Sequence, residues 1–168
     1  FGSRVTGLVI SGNLDDGAAG LQAIKDCGGT TVVQDPDDAI APGMPESALR
    51  WVTEIDHCVP AAELASLLVQ LSKDPPARAP AAPPALRAEV SFALNEDITA
   101  EGMNGVGRLA PFSCPDCGGP LWEMNGDAVS RFRCHTGHAY TADSLGEGLS
   151  HVAERSLWAA LRAMEERS

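Results

Sequence analysis

Three cysteines and one histidine in the last third of the chain have the spacing of a metal site. Cys114 and Cys117 form a C-x-x-C pair, and Cys134 begins the sequence C-H-T-G-H, which ends at His138. The 16 residues between Cys117 and Cys134 are typical of a zinc ribbon. Three thiolates and one imidazole complete the tetrahedral shell of a Zn²⁺ ion and leave no position open for a substrate. The pattern therefore predicts a structural zinc site.

His135 is the alternative fourth ligand of this site. It directly follows Cys134, so its side chain projects away from the Cys134 sulfur, and this geometry favours His138. The competing explanation for the whole pattern is chance spacing of reduced cysteines. We expect the zinc ribbon to span residues 109–140, with Asn125-Gly126 as a hairpin turn between two strand-like runs. Because so small a module has little core, metal binding should supply much of its folding free energy.

Two adjacent carboxylates near the start of the chain are the second group that is able to carry chemistry. Asp15 and Asp16 follow the apolar, strand-like run 5–11 and precede a helical pattern. In an open parallel sheet, ligands bind at the carboxyl ends of the strands. Aspartate is also favoured at a helix N-cap, where it needs no further role. The spacing leaves both interpretations open: an N-cap, or the acid of a catalytic triad that orients a histidine.

The elements around these groups indicate an α/β fold. The run 5–11 reads as a parallel strand buried on both faces, and further strands and helices alternate up to residue 73. This order predicts a parallel sheet with helices on its faces. The expected elements are strands at 30–34 and near 57–59, and helices at 18–27, from about 46 to 51, and at 61–71.

The middle of the chain has the composition of a linker. Residues 74–88 contain five prolines among alanines, which favours a semi-rigid polyproline-type segment. Within residues 89–108, only the run 90–94 is strand-like. We therefore expect a linker at 74–108 and, after the ribbon, a terminal helix at 141–168 capped near Thr141 or Asp143.

Composition and charge exclude several classes of function. The 168 residues carry a formal net charge of −11, which argues against sequence-independent binding of nucleic acid. No apolar run reaches the length of a membrane-spanning helix, so no membrane insertion is expected. Five cysteines with a C-x-x-C pair are typical of reduced thiols in the cytoplasm; Cys27 and Cys58 read as small buried apolar residues. A strand-like run follows almost directly after Phe1, so we expect the chain to be part of a longer protein.

Several motifs resemble those of one family. GLVISGNLDDGAAGL, VVQDP, APGMPESAL and DHCVP, all within residues 1–72, are similar to the second half of the CheB-type protein-glutamate methylesterase domain of bacterial chemotaxis. The segments CPDCGG, RFRCHTGHAYTADSL and LWAALRAMEER resemble an extension that a subset of these esterases carries.

The resemblance implies a doubly wound α/β domain and a specific reaction. The family hydrolyses glutamate methyl esters on the cytoplasmic helices of methylated chemoreceptors, often with deamidation of glutamine, by a Ser-His-Asp triad. The triad aspartate of the family directly precedes the glycine of the "DG" pair, which assigns Asp16 here. Asp15 is left as a cap or polar support, and the PGMP loop with Met44 lies beside the active site.

The serine and histidine of the triad are not identified in this chain. No G-x-S-x-G sequence is present, and the nucleophile of the family lies upstream of the first strand seen here. Ser11 belongs to a strand end, His57 reads as a surface or packing residue, and His151 reads as a solvated helix residue. The alternative function is a non-enzymatic signalling scaffold in which the ribbon and the terminal helix bind a protein partner.

Overall fold

The computed structural model describes residues 1–15, 17–75, 78–93, 107–124 and 130–167. These residues divide into two compact units. The first unit contains the described residues up to 93, and the second contains those from 107 onward.

The first unit contains a three-stranded parallel sheet with helices. Its strands are β1 (Thr6–Val9), β2 (Thr30–Gln34) and β3 (His57–Val59), and its helices are α1 (Ala18–Asp26), α2 (Gly43–Trp51), α3 (Ala61–Leu71) and α4 (Pro84–Ala93). The predicted α/β class with a parallel sheet is therefore confirmed. Helix α2 begins three residues before the expected position 46 and so includes most of the PGMP sequence.

Strand β2 lies in the middle of the sheet, between β1 and β3. Thr6 lies opposite Thr30 and Val9 opposite Val33, so the side chains at matched positions point to the same face. One face carries the core, because apolar residues of the strands meet those of α1 and α2 there. The core residues are Val9, Leu21, Val33, Ala48 and Val52, with Met44 and Ile55 at its margin.

Strand β1 is less buried than its apolar sequence predicts. Val9 is 5% exposed, but its neighbour Leu8 is 37% exposed and Ile10 is 49% exposed. Along β1, exposed and buried residues alternate, so only one face of this strand is covered in the described part of the chain. The expectation that this strand is buried on both faces is therefore wrong. The expectation for the two distant cysteines also fails, since Cys58 is exposed and Cys27 is only partly buried.

The proline-rich segment is more ordered than its composition suggests. Residues 84–93 form α4, so the strand-like conformation expected from residue 90 onward is wrong for residues 90–93. Pro84 occupies the first turn, where a missing backbone N–H costs nothing, and alanine, leucine, arginine and glutamate follow it. Pro80 lies against Gly28, where an added Cβ would meet its Cδ at 2.6 Å. The expected linker boundaries at 74 and 108 stay predictions.

The second unit is a four-stranded antiparallel sheet followed by one long helix. Its elements are β4 (Gly107–Ser113), β5 (Pro120–Met124), β6 (Arg131–Cys134), β7 (Ala139–Thr141) and α5 (Ala142–Glu165). The strands pair in chain order, each with its sequence neighbour. The expected Asn125-Gly126 turn lies outside the described residues.

Helix α5 is capped by Thr141, one of the two positions that the sequence predicts, and a capping box forms there. The Thr141 side chain accepts a hydrogen bond from the backbone N–H of Ser144, and the Ser144 side chain accepts one from the backbone of Thr141. Leu145 and Leu149 pack on the core of the sheet. Among the helices of the described residues, none has both the length and the apolar character that a bilayer crossing requires.

Asp56, just before β3, ties three elements of the first unit together. Its carboxylate accepts hydrogen bonds from the backbone N–H and the hydroxyl of Thr31 at 2.8 and 2.9 Å, and it lies 2.7 Å from the Lys25 ammonium. Partial burial alone would raise the pKa of Asp56, but the bonds from Lys25 and Thr31 outweigh it and hold the pKa below its usual value. The ionised carboxylate therefore stabilises the folded state.

We expect Asp56→Asn to lower the free energy of unfolding by roughly 1–3 kcal/mol at pH 7, since hydrogen bonds to a charged group are lost. Because the pKa is lower in the folded state, this contribution is complete above the unfolded-state value of about 3.9 and disappears as the pH falls below it. Urea unfolding from pH 7 to pH 3 measures the difference. Asp26→Asn, at an exposed position, is the control and should change stability by less than about 0.5 kcal/mol. Equal effects of the two substitutions would contradict this account.

Candidate functional site

Two tight turns of the second unit carry the four predicted metal ligands. Cys114 follows β4 directly, and its carbonyl accepts a hydrogen bond from the Gly118 N–H at 2.8 Å. Gly118 has φ +71°, a conformation that favours glycine. Cys134 ends β6, and its N–H donates to the His138 carbonyl at 3.0 Å across the second turn. Each turn therefore presents two ligands from one short segment.

Strand pairing brings the two turns together. Leu121 of β5 lies opposite Cys134 of β6, and Ser113 of β4 lies opposite Pro120 of β5. The start of β5 therefore places the first turn beside the end of β6. The donor atoms of Cys114, Cys117, Cys134 and His138 all lie within 4.8 Å of one another.

Three of the distances between these donors are close to the edges of a tetrahedral shell. With metal–sulfur bonds near 2.3 Å and a metal–nitrogen bond near 2.05 Å, the sulfur–sulfur edge is about 3.8 Å and the sulfur–nitrogen edge about 3.6 Å. The Cys117 and Cys134 sulfurs are 3.7 Å apart, and His138 Nδ1 lies 3.5 Å from the Cys114 sulfur and 3.4 Å from that of Cys134. The four side chains could therefore hold a metal ion with small adjustments of the longer donor separations.

Hydrogen bonds and burial shift the pKa values of the three cysteine thiols in different directions. Cys114 and Cys134 are buried, whereas Cys117 is exposed. The hydroxyl of Thr136 donates to the Cys117 sulfur at 3.4 Å, and this bond is the main cause that lowers the pKa of Cys117 to about 7. Burial raises the pKa of Cys134. Burial also acts on Cys114, but bonds from Tyr140 and the turn backbone outweigh it and lower the pKa of that thiol. The thiolate form that a metal requires is thus favoured at Cys114 and Cys117.

His135 does not join the ligand group. It is exposed, and its ring lies over Gly119, where an added Cβ would meet the ring at 2.2 Å. The donor cluster found among the described residues contains His138 instead. The sequence preference for His138 over His135 agrees with this arrangement.

A second polar group lies at the carboxyl edge of the parallel sheet. The Ser11 N–H donates to Gln34 Oε1 at 2.9 Å, and the Ser11 hydroxyl accepts from the Ala41 N–H at 2.9 Å. The Gln34 amide in turn donates to Asp38, whose carboxylate accepts from the Ala61 N–H at 2.7 Å. Ser11 is thus used to hold the loop after β2, which argues against a role as substitute nucleophile. His57 is half-buried within β3.

The PGMP segment lies directly against the loop after β1. The Met44 N–H donates to the Gly12 carbonyl at 2.9 Å, and the Gly12 N–H donates to the Ala41 carbonyl at 2.9 Å. The side chain of Met44 covers Gly12 so closely that an added Cβ would lie 2.1 Å from its sulfur. Glycine is therefore required at position 12 for this contact.

Leu14 and Gly17, on either side of the aspartate pair in the sequence, have unusual backbone geometry. Leu14 has φ +64°, a region that is costly for a leucine, and Gly17 has φ +89°. Gly17 is the N-cap of α1, so Asp15 does not cap this helix and is instead 3% exposed. Asp16 lies outside the described residues, and its assignment as triad acid stays a prediction. Strained residues of this kind often occur at functional sites.

Sequence reasoning missed two residues around the metal ligands. Thr136 lies in the second turn, and Tyr140 lies on β7 with its hydroxyl 3.1 Å from the Cys114 sulfur. The sequence alone could have indicated Thr136, because this residue lies between the proposed ligands Cys134 and His138. It could not have indicated Tyr140, since the contact of Tyr140 with Cys114 spans 26 residues and depends on the strand pairing.

Comparison with known proteins shows a similarity that is confined to the first 68 residues. A family model described as CheB methylesterase matches residues 1–68. The resemblance predicted from the motifs of residues 1–72 is therefore confirmed. Residues beyond 68 lie outside this match.

Three curated relatives match the same part of the chain. Protein-glutamate methylesterase/protein-glutamine glutaminase 3 of Myxococcus xanthus is 43% identical over 70 residues, which cover 42% of this chain and 19% of that protein. The protein of the same name and number from Paramagnetospirillum magneticum is 37% identical over 73 residues, or 42% of this chain and 20% of its own length. The protein-glutamate methylesterase/protein-glutamine glutaminase of Pyrococcus horikoshii is 37% identical over 70 residues, with shares of 42% and 19%. The chain thus spans about a fifth of the length of these relatives.

The purified chain is expected to contain about one metal ion per molecule, since four donors stand at tetrahedral spacing. Cys134→Ser should abolish the bound metal, because a neutral hydroxyl replaces a buried thiolate ligand. Elemental analysis of the dialysed protein measures the content. Cys27→Ser, a matched change outside the cluster, should retain the metal. Loss of metal in both variants, or in neither, would contradict the assignment of the four ligands.

Proposed function

We propose, from the match of residues 1–68 to the CheB methylesterase family, that this chain is part of a protein-glutamate methylesterase. The complete enzyme hydrolyses glutamate methyl esters, and deamidates glutamines, on the cytoplasmic helices of methylated chemoreceptors. Asp16 is the acid of a Ser-His-Asp triad whose serine and histidine lie in sequence outside this chain. The cytoplasm is the proposed location, because cysteines that form no disulfide and have metal-ligand spacing are typical of that compartment.

The proposed chemistry assigns one role to each triad member. The serine oxygen attacks the ester carbonyl, and the histidine takes the serine proton and delivers it to the departing methoxide, which leaves as methanol. Water then hydrolyses the acyl-enzyme by the same route. Asp16 holds the imidazole in the required tautomer and stabilises its cation. Neither Asp15 nor the edge residue Ser11 takes part in proton transfer.

The strongest support for this proposal is the position of the matched sequence in the fold of the first unit. The segment that carries the family motifs includes the loop after β1, at the carboxyl edge of a parallel sheet, where such folds bind ligands. That loop combines a positive φ at Leu14 with the close contact between Gly12 and Met44. A strained turn held by several hydrogen bonds is suited to fixing one carboxylate.

For the second unit, we propose a structural Zn²⁺ held by Cys114, Cys117, Cys134 and His138. A set of three sulfurs and one nitrogen at tetrahedral spacing favours Zn²⁺ over ions that prefer oxygen ligands. A bound ion would cross-link the two turns and would take no part in catalysis. With all four positions filled by side chains, a substrate has no access to the metal.

One observation favours the alternative function, a non-enzymatic scaffold that binds a protein partner. The distal half of α5 exposes large apolar side chains, with Leu157 72% and Trp158 57% exposed. Such residues often contribute to protein interfaces. The activity experiment below separates the two functions, because a scaffold releases no methanol.

Asp16→Asn in the longest natural form of the protein that includes these residues should lower the rate of methanol release by about ten thousand-fold. The reason is that an amide favours the wrong imidazole tautomer and does not stabilise its cation. Release of labelled methanol from methylated receptor measures the rate. Asp37→Asn, an exposed aspartate of the neighbouring loop, is the matched control and should leave the rate within a few-fold of the parent.

Two outcomes would reject parts of this proposal. An Asp16→Asn enzyme with nearly full activity would remove Asp16 from the triad. A parent protein that binds receptor but releases no methanol would favour the scaffold.

A further inference from the structure

The hydroxyl of Tyr140 contacts two residues of the first turn, the proposed metal ligand Cys114 and its neighbour Asp116. It is 3.1 Å from the Cys114 sulfur and donates to the Asp116 carboxylate at 2.6 Å. The ring packs against the core of the second unit, which includes Leu121 and Phe132. The position of the hydroxyl is therefore set by packing as well as by its two polar partners.

The other two cysteine sulfurs lie close to the hydroxyl group of a different residue, Thr136. Thr136 Oγ1 lies 3.0 Å from the Cys134 sulfur and 3.4 Å from that of Cys117. The backbone N–H of His138 also donates to Cys134 at 3.2 Å. Cys114 is 2% exposed, so water contributes little to its solvation, and Tyr140 provides it with a side-chain hydroxyl. A buried thiolate needs such donors, because an unsolvated charge is costly.

The contacts of Tyr140 also connect the two halves of the ligand set. Tyr140 follows His138 by two residues and is the middle residue of β7, while Asp116 lies within the turn that holds Cys114 and Cys117. The hydroxyl thus joins segments that are 24 residues apart in the sequence. The contact of Thr136 with the Cys117 sulfur is a second side-chain link between the two turns, but it does not reach Cys114.

We propose that Tyr140 is a positioning residue of the metal centre. Its hydroxyl, which bridges Asp116 and Cys114, holds Cys114 in ligand geometry before the ion arrives. When Cys114 is a bound thiolate, the single hydroxyl proton turns from Asp116 to the sulfur, and this hydrogen bond slows release of the ion. Residues that orient ligands from outside the coordination shell commonly change metal affinity by 10–100-fold when they are removed. This inference rests on the proposed Zn²⁺ site, and it concerns metal retention rather than esterase activity.

Tyr140→Phe tests the proposal, because it deletes the hydroxyl and retains the ring. We expect the dissociation constant for Zn²⁺, measured by competition with a chromophoric chelator on the full chain, to rise by about tenfold or more. The rate of Zn²⁺ transfer to excess chelator should rise as well. Ser156→Ala is the control, because it deletes an exposed hydroxyl of α5 that bonds only to its own helix and should change neither quantity.

Two further measurements separate positioning from a general loss of structure. The Co²⁺-loaded variant should keep the visible spectrum of a tetrahedral site with three thiolates, and the urea midpoint of the metal-free chain should stay close to that of the parent. The same Tyr140→Phe change in an Asp116→Asn background should still weaken binding, since the bond to the sulfur remains. Loss of the effect in that background would assign the role to Asp116 and overturn the proposal.

The remaining outcomes are distinguishable. If the parent chain binds Zn²⁺ and Tyr140→Phe binds it equally well, the proposed role of Tyr140 is wrong and the metal site stands. If the parent binds no Zn²⁺, the proposed metal site is wrong and the role of Tyr140 falls with it.

Discussion

The register of backbone pairing between strands decides which distant residues meet in both units. In the first unit, parallel pairing of β1 with β2 places Ser11 beside Gln34, so that a hydrogen bond forms across 23 residues. In the second unit, pairing of Leu121 with Cys134 places the first cysteine turn beside the second. A slip of one residue would turn Cys134 to the opposite face of the sheet and separate the ligands.

The core and the proposed metal centre of the second unit share two residues. Cys114 and Cys134 belong to the apolar cluster that also contains Leu121, Phe132 and Leu145. A sheet with so few buried residues gains limited free energy from apolar burial. The thiols therefore serve packing and coordination together, and binding of an ion would be linked directly to folding. The exposed position of Cys117 leaves one side of the group accessible to solvent.

The edge of the parallel sheet depends on a different physical device, which is hydrogen bonding by short polar side chains. Gln34 is 6% exposed and connects Ser11 to Asp38, whose carboxylate reaches the start of α3. The hydrogen bonds from Gln34 and the Ala61 N–H lower the pKa of Asp38, with the bond from Ala61 as the larger cause. This network holds the loop that ends in Met44 against the turn at Gly12. Leu14, whose positive φ is strained, therefore follows a turn that these hydrogen bonds hold in place.

By itself, the sequence identified the group of three cysteines and one histidine as a candidate metal site, the α/β class of the first unit, a start of α5 near Thr141 or Asp143, and the family resemblance within residues 1–72. These follow from short-range signals, because ligand spacing, strand and helix periodicity and capping each depend on a few neighbouring residues. Tertiary structure alone decided that β1 is an edge strand, that Gly17 rather than an aspartate caps α1, and that residues 84–93 are helical. It also decided the contact of Tyr140 with Cys114. These features depend on which segments pack together across long separations, and that packing outweighs local preference.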